Sequence, residues 1–244
     1  MLKFSIRRFD ELPSTNEWLA AQPCERIPEG TVILARRQTA GQGRQGRTWH
    51  TEPDASLAFS LLLKPKAEPC QAAFMPILAG LALSETLRGF GIHSMIKWPN
   101  DIWIGTRKTA GILCRLSSRA NGRLHLIIGI GLNINQTDFP PELNDIATSM
   151  ALAAGTTFPP DEVLQRLLAN LGQAYETWRQ CGTAPLVERY PLHDALRSRP
   201  VTLLQGNQTI QGIADGINND GTLRIQIPGF PPLNADSGEV HLLR

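Results

Sequence analysis

Residues 97–113 read KWPNDIWIGTRKTAGIL, and this stretch constrains the chain more than any other. Pro99-Asn100 predicts a turn between two short strands, Met95 to Trp98 and Asp101 to Ile104. Lys108 then stands directly before Thr109-Ala110-Gly111, small residues that let backbone approach a ligand closely. Each part alone has a plain explanation: a turn, two core tryptophans (Trp98 and Trp103), a solvated lysine. Together, at this spacing, they predict a site. A lysine ammonium beside such a gap holds a carboxylate and stabilises charge building up at phosphorus. Asn100 and Asp101 are candidates to position a metal ion or a ribose, although the sequence picks out no set of metal ligands.

A second dense segment lies upstream, Gly41-Gln42-Gly43-Arg44-Gln45-Gly46-Arg47, bracketed by Gln38 and Trp49. Its glycines match G-x-G-x-x-G, but the dinucleotide reading fails. Trp49-His50-Thr51-Glu52-Pro53-Asp54 does not continue as a helix, and residues 61–67 carry no carboxylate. A protein-kinase loop fails as well, because no HRD or DFG segment follows. A basic surface loop is the plain alternative. The composition equally suits glycine N–H groups converging on an anion beside Arg44 and Arg47, in a loop that orders over its ligand.

Composition narrows the class. The 244 residues are 42% hydrophobic, enough for one large domain or one domain with a small companion. A formal charge of +2 gives no footing for nucleic-acid binding by net charge. Only five basic residues are lysines, and Lys97 and Lys108 both fall in the motif. Cys24, Cys70, Cys114 and Cys181 form no CxxC and are expected as free, mostly buried thiols. The N-terminus has no signal-peptide core, and no apolar run reaches the ~18 residues of a membrane span. The expectation is a cytoplasmic protein with no membrane partner.

Ser14 and Glu17 form an S-x-x-E box that predicts a helix start. Gly30 to Arg37 and Ala55 to Lys64 read as strands, and Cys70 to Leu87 as a long core helix. Gly111 to Ser117 and Leu124 to Ile134 flank Asn121-Gly122 and predict a hairpin. Within it, Gly129-Ile130-Gly131-Leu132-Asn133 reads either as a strand thinned for packing or as one over which a flat ligand lies, with Asn133 at a polar edge. Pro159 to Gln180 predicts an amphipathic helix with Asp161 as N-cap and Gly182 as stop, and Pro185 to Leu196 a further short helix. Beyond Arg199-Pro200 the short runs 201–204, 209–213, 223–227 and 240–243 predict a small antiparallel barrel, with a boundary near 198.

In this order, Ser14-Thr15-Asn16, Gln38 through Trp49, Lys97-Trp98-Pro99-Asn100-Asp101, Arg107 through Leu113 and Gly129 through Asn135 resemble the biotin protein ligase (biotin–[acetyl-CoA-carboxylase] ligase) family over essentially the whole chain. The resemblance implies an α+β fold. A mixed sheet with helices like the class II aminoacyl-tRNA synthetases would occupy 1–197, and an SH3-like β-barrel 198–244. It implies biotin and ATP as substrates with Mg2+, biotinyl-5′-AMP as intermediate, and a lysine of a biotin carboxyl carrier protein domain of acetyl-CoA carboxylase as acceptor. By matching position, Ser14, Thr15, Asn16 and Gln38 would bind the biotin head group, and Gln42, Gly43 and Arg44 would belong to the covering loop. Gly111 would complete the biotin site. Lys108 and Arg44 would be catalytic, and Arg47, Trp49, Asn100 and Asn133 would bind the adenylate. Gln42 and Gln45 stand where the family loop often carries arginine (GRGRRGR). Only 13 residues precede Ser14, so the expectation is a ligase without the DNA-binding domain of some members, acting as a monomer or homodimer. Two rivals remain open at this point: a lipoate or octanoate ligase, and a single-strand nucleic-acid binder built on the arginine-glycine loop.

Overall fold

A computed structural model describes residues 2–23, 25–66, 73–118 and 124–243. Its strands and helices are β1 Ser5–Leu12, α1 Thr15–Ala20, β2 Thr31–Gln38, β3 Ser56–Leu63, α2 Met75–Gly89, β4 Met95–Lys97, β5 Asp101–Ile104, β6 Arg107–Ser118, β7 Leu124–Asn133, α3 Met150–Ala154, α4 Pro160–Cys181, α5 Ala184–Arg189, β8 Pro200–Gln205, β9 Gln208–Ile217, β10 Leu223–Gln226, β11 Leu233–Ala235 and β12 Glu239–Leu242.

The first sheet runs β1-β2-β3-β7-β6-β5-β4; only β1 and β2 are parallel, and every other pair is antiparallel. β3 and β7 lie at its centre, so side chains on both faces are buried and the run SLAFSLLL need not alternate with polar residues. Alternation survives as a division between two cores. Leu57, Phe59, Leu61 and Leu63 of β3 join the large core that includes α2 and α4. Leu62 points the other way, into a smaller cluster with Leu12, Leu19, Ile33 and Ile127 around α1. By the same two-residue period, Ser60, Gly129 and Gly131 face the α1 side.

The second sheet is antiparallel, ordered β11-β10-β9-β8-β12, and gives the predicted small barrel with one strand, β11, that the sequence reading lacked. Its inward residues Val201, Leu203, Ala214, Leu223, Ile225 and Val240 belong to the same continuous core as the large sheet. The Gly221 turn packs on Phe74 and Ile77, and its carbonyl accepts a hydrogen bond from Trp98 Nε1 at 2.9 Å.

Several expectations shift. The long helix begins at Met75, not Cys70; residues 67–72 and the Asn121-Gly122 turn lie outside the described residues. Pro159, not Asp161, precedes the first turn of α4, leaving Asp161 inside that turn where its charge meets the helix dipole. Residues 184–192 form α5 followed by a 3-10 turn. Cys181 is exposed at the end of α4 and Cys114 is half-buried, while Cys24 and Cys70, the other two thiols of that expectation, lie outside the described residues. The edge strand β1 was not anticipated, because SIRRFDEL is exposed at nearly every position and carries no apolar alternation.

The joint between the two sheets is polar and buried. The Ile96 N–H donates to the His193 carbonyl at 2.6 Å and the Ile96 carbonyl accepts from Ala195 at 2.9 Å, which ties β4 to this segment. His193 Nδ1 lies 2.9 Å from Ser84 Oγ. Burial, reinforced by Arg88, Arg189 and His93, pushes the His193 imidazole down from 6.5 to about 4. Burial also pushes the Asp194 carboxyl up from 3.8 to about 6. The two act in opposite senses. As pH falls from 6.5 towards 4, the unfolded chain takes a proton at His193 that the folded chain refuses, and stability falls. As pH falls from 6 towards 3.8, the folded chain takes a proton at Asp194 ahead of the unfolded one, and stability rises. We therefore expect Asp194→Asn, which leaves His193 unopposed, to lose stability more steeply than wild type in urea titrations run from pH 7 to 4.5. Parallel slopes would refute this assignment.

Candidate active site

The predicted Ser14 cap forms, with the Glu17 N–H donating to Ser14 Oγ at 3.4 Å. The box is not reciprocal: the Glu17 carboxylate is engaged by Arg115 at 3.0 and 3.1 Å. Capping α1 at Ser14 sets Thr15 and Asn16 at the head of the helix, where both are buried against the sheet.

Two cross-strand rows form the floor beneath them. One is Ser60, Gly129 and Leu113; the other is Ala58, Gly131 and Gly111. Asn16 covers the first row. Its Nδ2 donates to the Leu113 carbonyl at 3.1 Å, and its Oδ1 accepts from Ser60 at 2.6 Å. A Cβ on Gly129 would come within 2.5 Å of Asn16 Oδ1. Trp49 covers the second row, where a Cβ on Gly131 would fall 2.2 Å from Trp49 Cε2. The two glycines of the GIG strand are thus required by the protein's own Asn16 and Trp49, not only by an approaching ligand as the sequence suggested.

At one end of the site the Gln38 carboxamide oxygen accepts from the Thr15 N–H at 2.7 Å and from its hydroxyl at 3.0 Å. At the other end stand the cations. Lys108 Nζ lies 2.7 Å from Asp101 Oδ1 and 5.7 Å from the centre of the Trp49 ring. Arg44 donates to Asn100 Oδ1 at 3.2 Å, and Asn100 Nδ2 donates to the Ile112 carbonyl at 2.9 Å. The WPND turn therefore anchors the glycine loop from below. The loop is closed by its own backbone, Gly43 N–H to the Arg47 carbonyl at 2.7 Å and Trp49 N–H to the Gly41 carbonyl at 2.9 Å. Gln45 and Gly46 take positive φ at its tip.

These elements line an open cleft whose empty space, its solvent-open mouth included, is about 470 Å³. It is lined by Ser14, Thr15, Asn16, Gln38, Gln42, Gly43, Arg44, Trp49, Asn100, Lys108 and Gly111, among others. Of the residues singled out in the sequence, Arg47, Asp101 and Asn133 lie outside this lining. Arg47 is ion-paired with Glu239 of the barrel. Asn133 is buried and donates to the Thr148 carbonyl at 3.1 Å, bracing the segment whose Ile146 carbonyl and Thr148 N–H bond the Lys108 backbone. Lys97, whose ammonium sits 4.9 Å from the Trp103 ring centre, is held below the usual lysine range by burial, opposed by Asp101 and Glu239. Ser60 and Glu239 were missed. The signal for Ser60 was a hydroxyl in the middle of an apolar run; Glu239 had none, because only folding brings it to Arg47.

Comparison with known proteins agrees with this architecture. Residues 9–133 match the family model described as biotin/lipoate A/B protein ligase family, and residues 199–242 match that of the biotin protein ligase C terminal domain. The chain is 37% identical to the bifunctional ligase/repressor BirA of Bacillus subtilis over 223 residues, 89% of this chain and 68% of that protein. It is 30% identical to the biotin–[acetyl-CoA-carboxylase] ligase of Mycobacterium tuberculosis over 236 residues, 94% of this chain and 86% of that one. The crystallised biotin protein ligase of Aquifex aeolicus, in complex with biotin and ATP, superposes with a TM-score of 0.85 at 30% identity, covering 98% of each chain.

Proposed function

Because this chain belongs to the biotin/lipoate A/B protein ligase family, we propose that it is a biotin–[acetyl-CoA-carboxylase] ligase. It activates biotin with ATP to biotinyl-5′-AMP, releases diphosphate, and transfers the biotinyl group to a lysine of a biotin carboxyl carrier protein. The observation that carries this reading is the polarity of this cavity. Neutral hydrogen-bonding groups of Ser14, Thr15, Asn16 and Gln38 line one side, and Lys108 and Arg44 the other. That matches a ligand with an uncharged polar head and a carboxylate tail.

In the first half-reaction a biotin carboxylate oxygen attacks the α-phosphorus of ATP, and the bond from that phosphorus to the diphosphate oxygen breaks. Lys108 leaves Asp101 for the substrate and stabilises charge on the carboxylate and the phosphoryl oxygens. Arg44, fixed by Asn100, adds a second cation at the same end. In the second half-reaction an uncharged lysine amine of the carrier attacks the acyl carbon, AMP departs, and the amine proton passes to solvent. Trp49 and residues 41–47 cover the anhydride and exclude water. Arg47 reaches the nucleotide by exchanging Glu239 for phosphate, while Asn133 acts through the segment it braces.

Among the described residues no group of three or more His, Cys, Asp or Glu forms a metal cage. Asp101, the carboxylate beside Lys108, is the side chain that would hold a Mg2+ bound together with the nucleotide. There the ion would neutralise phosphate charge. We assign residues 1–197 to the catalytic unit and 198–244 to an SH3-like unit, acting in the cytoplasm as monomer or homodimer. No helix among the described residues is long and apolar enough to cross a membrane.

The test is pyrophosphate release from ATP with biotin and lipoate in parallel. Release with biotin alone is expected. Release with lipoate alone would move the chain to the other branch of the family, and release with neither would overturn the reading.

A further inference from the structure

We propose that Ser60, a buried serine outside the cavity, is a positioning residue that fixes which atoms of the head-group site accept hydrogen bonds and which donate, and so selects a cyclic urea over a dithiolane. This rests on the reading of biotin as the ligand.

The proton positions follow from two backbone groups that cannot change role. The Thr15 N–H can only donate, so the Gln38 atom 2.7 Å from it is the carboxamide oxygen. The Leu113 carbonyl can only accept, so the Asn16 atom 3.1 Å from it is the nitrogen. Asn16 Oδ1 therefore faces Ser60 and can only accept, at 2.6 Å. Ser60 has one hydroxyl proton, and this contact takes it. At its other short contact, 2.7 Å from Thr15 Oγ1, Ser60 is then left as the acceptor. The Thr15 hydroxyl proton turns inward, to Ser60 or to Gln38 Oε1 at 3.0 Å, and never towards the cavity.

Two consequences reach the cavity wall. Thr15 offers a lone pair, so it accepts. Gln38, its oxygen turned to Thr15, offers its NH2, so it donates. A ligand that satisfies both carries an N–H donor beside a carbonyl acceptor, which is the edge of biotin's ureido ring. A dithiolane has neither group and would leave both protein groups unpaired, the situation in which a polar site rejects an analogue most strongly. Ser60 is 0% exposed and is absent from the cavity lining, so it exerts this effect through Thr15 and Asn16.

Ser60→Ala removes one of the two inward partners that hold the Thr15 hydroxyl, leaving it only Gln38 Oε1 at 3.0 Å, and leaves Asn16 Oδ1 without its donor. In the full-length protein we expect the KM for biotin to rise about tenfold, the effect of losing one buried hydrogen-bond partner. The KM for ATP and kcat at saturating biotin should stay within about twofold, the pattern of a change confined to head-group binding. Ser60→Cys, a weaker donor of similar size, should fall between. The decisive readout compares biotin with biotin methylated on a ureido nitrogen: wild type should discriminate strongly, and Ser60→Ala should narrow the ratio. A folded Ser60→Ala, by melting temperature, with unchanged biotin KM and unchanged discrimination would overturn the role of Ser60 alone. A wild-type chain inert towards biotin would instead overturn the biotin reading itself.

Discussion

Lys108→Ala should reduce biotin-dependent pyrophosphate release by about 10²–10³-fold, the cost of removing one preorganised charge from a site where charge develops. The fold should survive. The Lys108 side chain is 36% exposed, and the hydrogen bonds that integrate it, to the Ile146 carbonyl and from the Thr148 N–H, are made by its backbone and persist in alanine. Its loss frees Asp101 at a site open to water, so melting should change little. The measurement is single-turnover release of pyrophosphate at saturating biotin and ATP, with the melting temperature taken on the same sample. A folded variant turning over near the wild-type rate would remove Lys108 from the chemistry. Lys108→Arg should recover little, because a planar fork does not replace a compact ammonium beside Gly111, whose Cβ position already lies 3.3 Å from Nζ.

Gly129→Ala carries the second large effect. The new methyl would sit 2.5 Å from Asn16 Oδ1, an atom that cannot retreat because Asn16 is held by both Leu113 and Ser60. Something must shift, and the movable part is the start of α1 with Thr15 and its Gln38 contact. Overpacking of this kind costs about 1–3 kcal/mol, so the melting temperature should fall by roughly 3–10 °C. Biotin binding should weaken more than stability alone requires, by a factor of about ten or more, since the displaced atoms are those proposed to hold the head group. Gly131→Ala offers the internal contrast. Its methyl meets Trp49, which belongs to a loop and can swing aside, so stability should suffer less while the covered site opens. Calorimetry of both variants, with and without biotin, separates them. Equal losses of stability would show that Asn16 is not the rigid partner described.

Much of this was readable in the residues, and the parts that were not have definite causes. The capping serine, the WPND turn between β4 and β5 and the glycine-rich loop are local features. Each depends on a few neighbouring residues whose backbone preferences decide the outcome, so each fell where the spacing put it. The small barrel was legible from turn residues between short apolar runs, except for β11, where Leu233-Asn234-Ala235 is too short to carry a pattern. The start of α2 was misplaced because an apolar run does not mark where a helix begins.

The sequence by itself determined the kinds of groups in the site and their order along the chain, and with them the resemblance that named the chemistry. Tertiary structure alone decided how those groups are used. Only the register of β3, β7 and β6 sets Ser60 and Ala58 opposite Gly129 and Gly131 and makes two rows of small residues into a floor. Only packing turned Asn133 to the Thr148 carbonyl and away from the cavity, and brought Glu239 of the barrel to Arg47, separated from it by 192 positions in the chain. Cross-strand register and domain docking are set by the summed burial of many distant side chains, so no local segment encodes them.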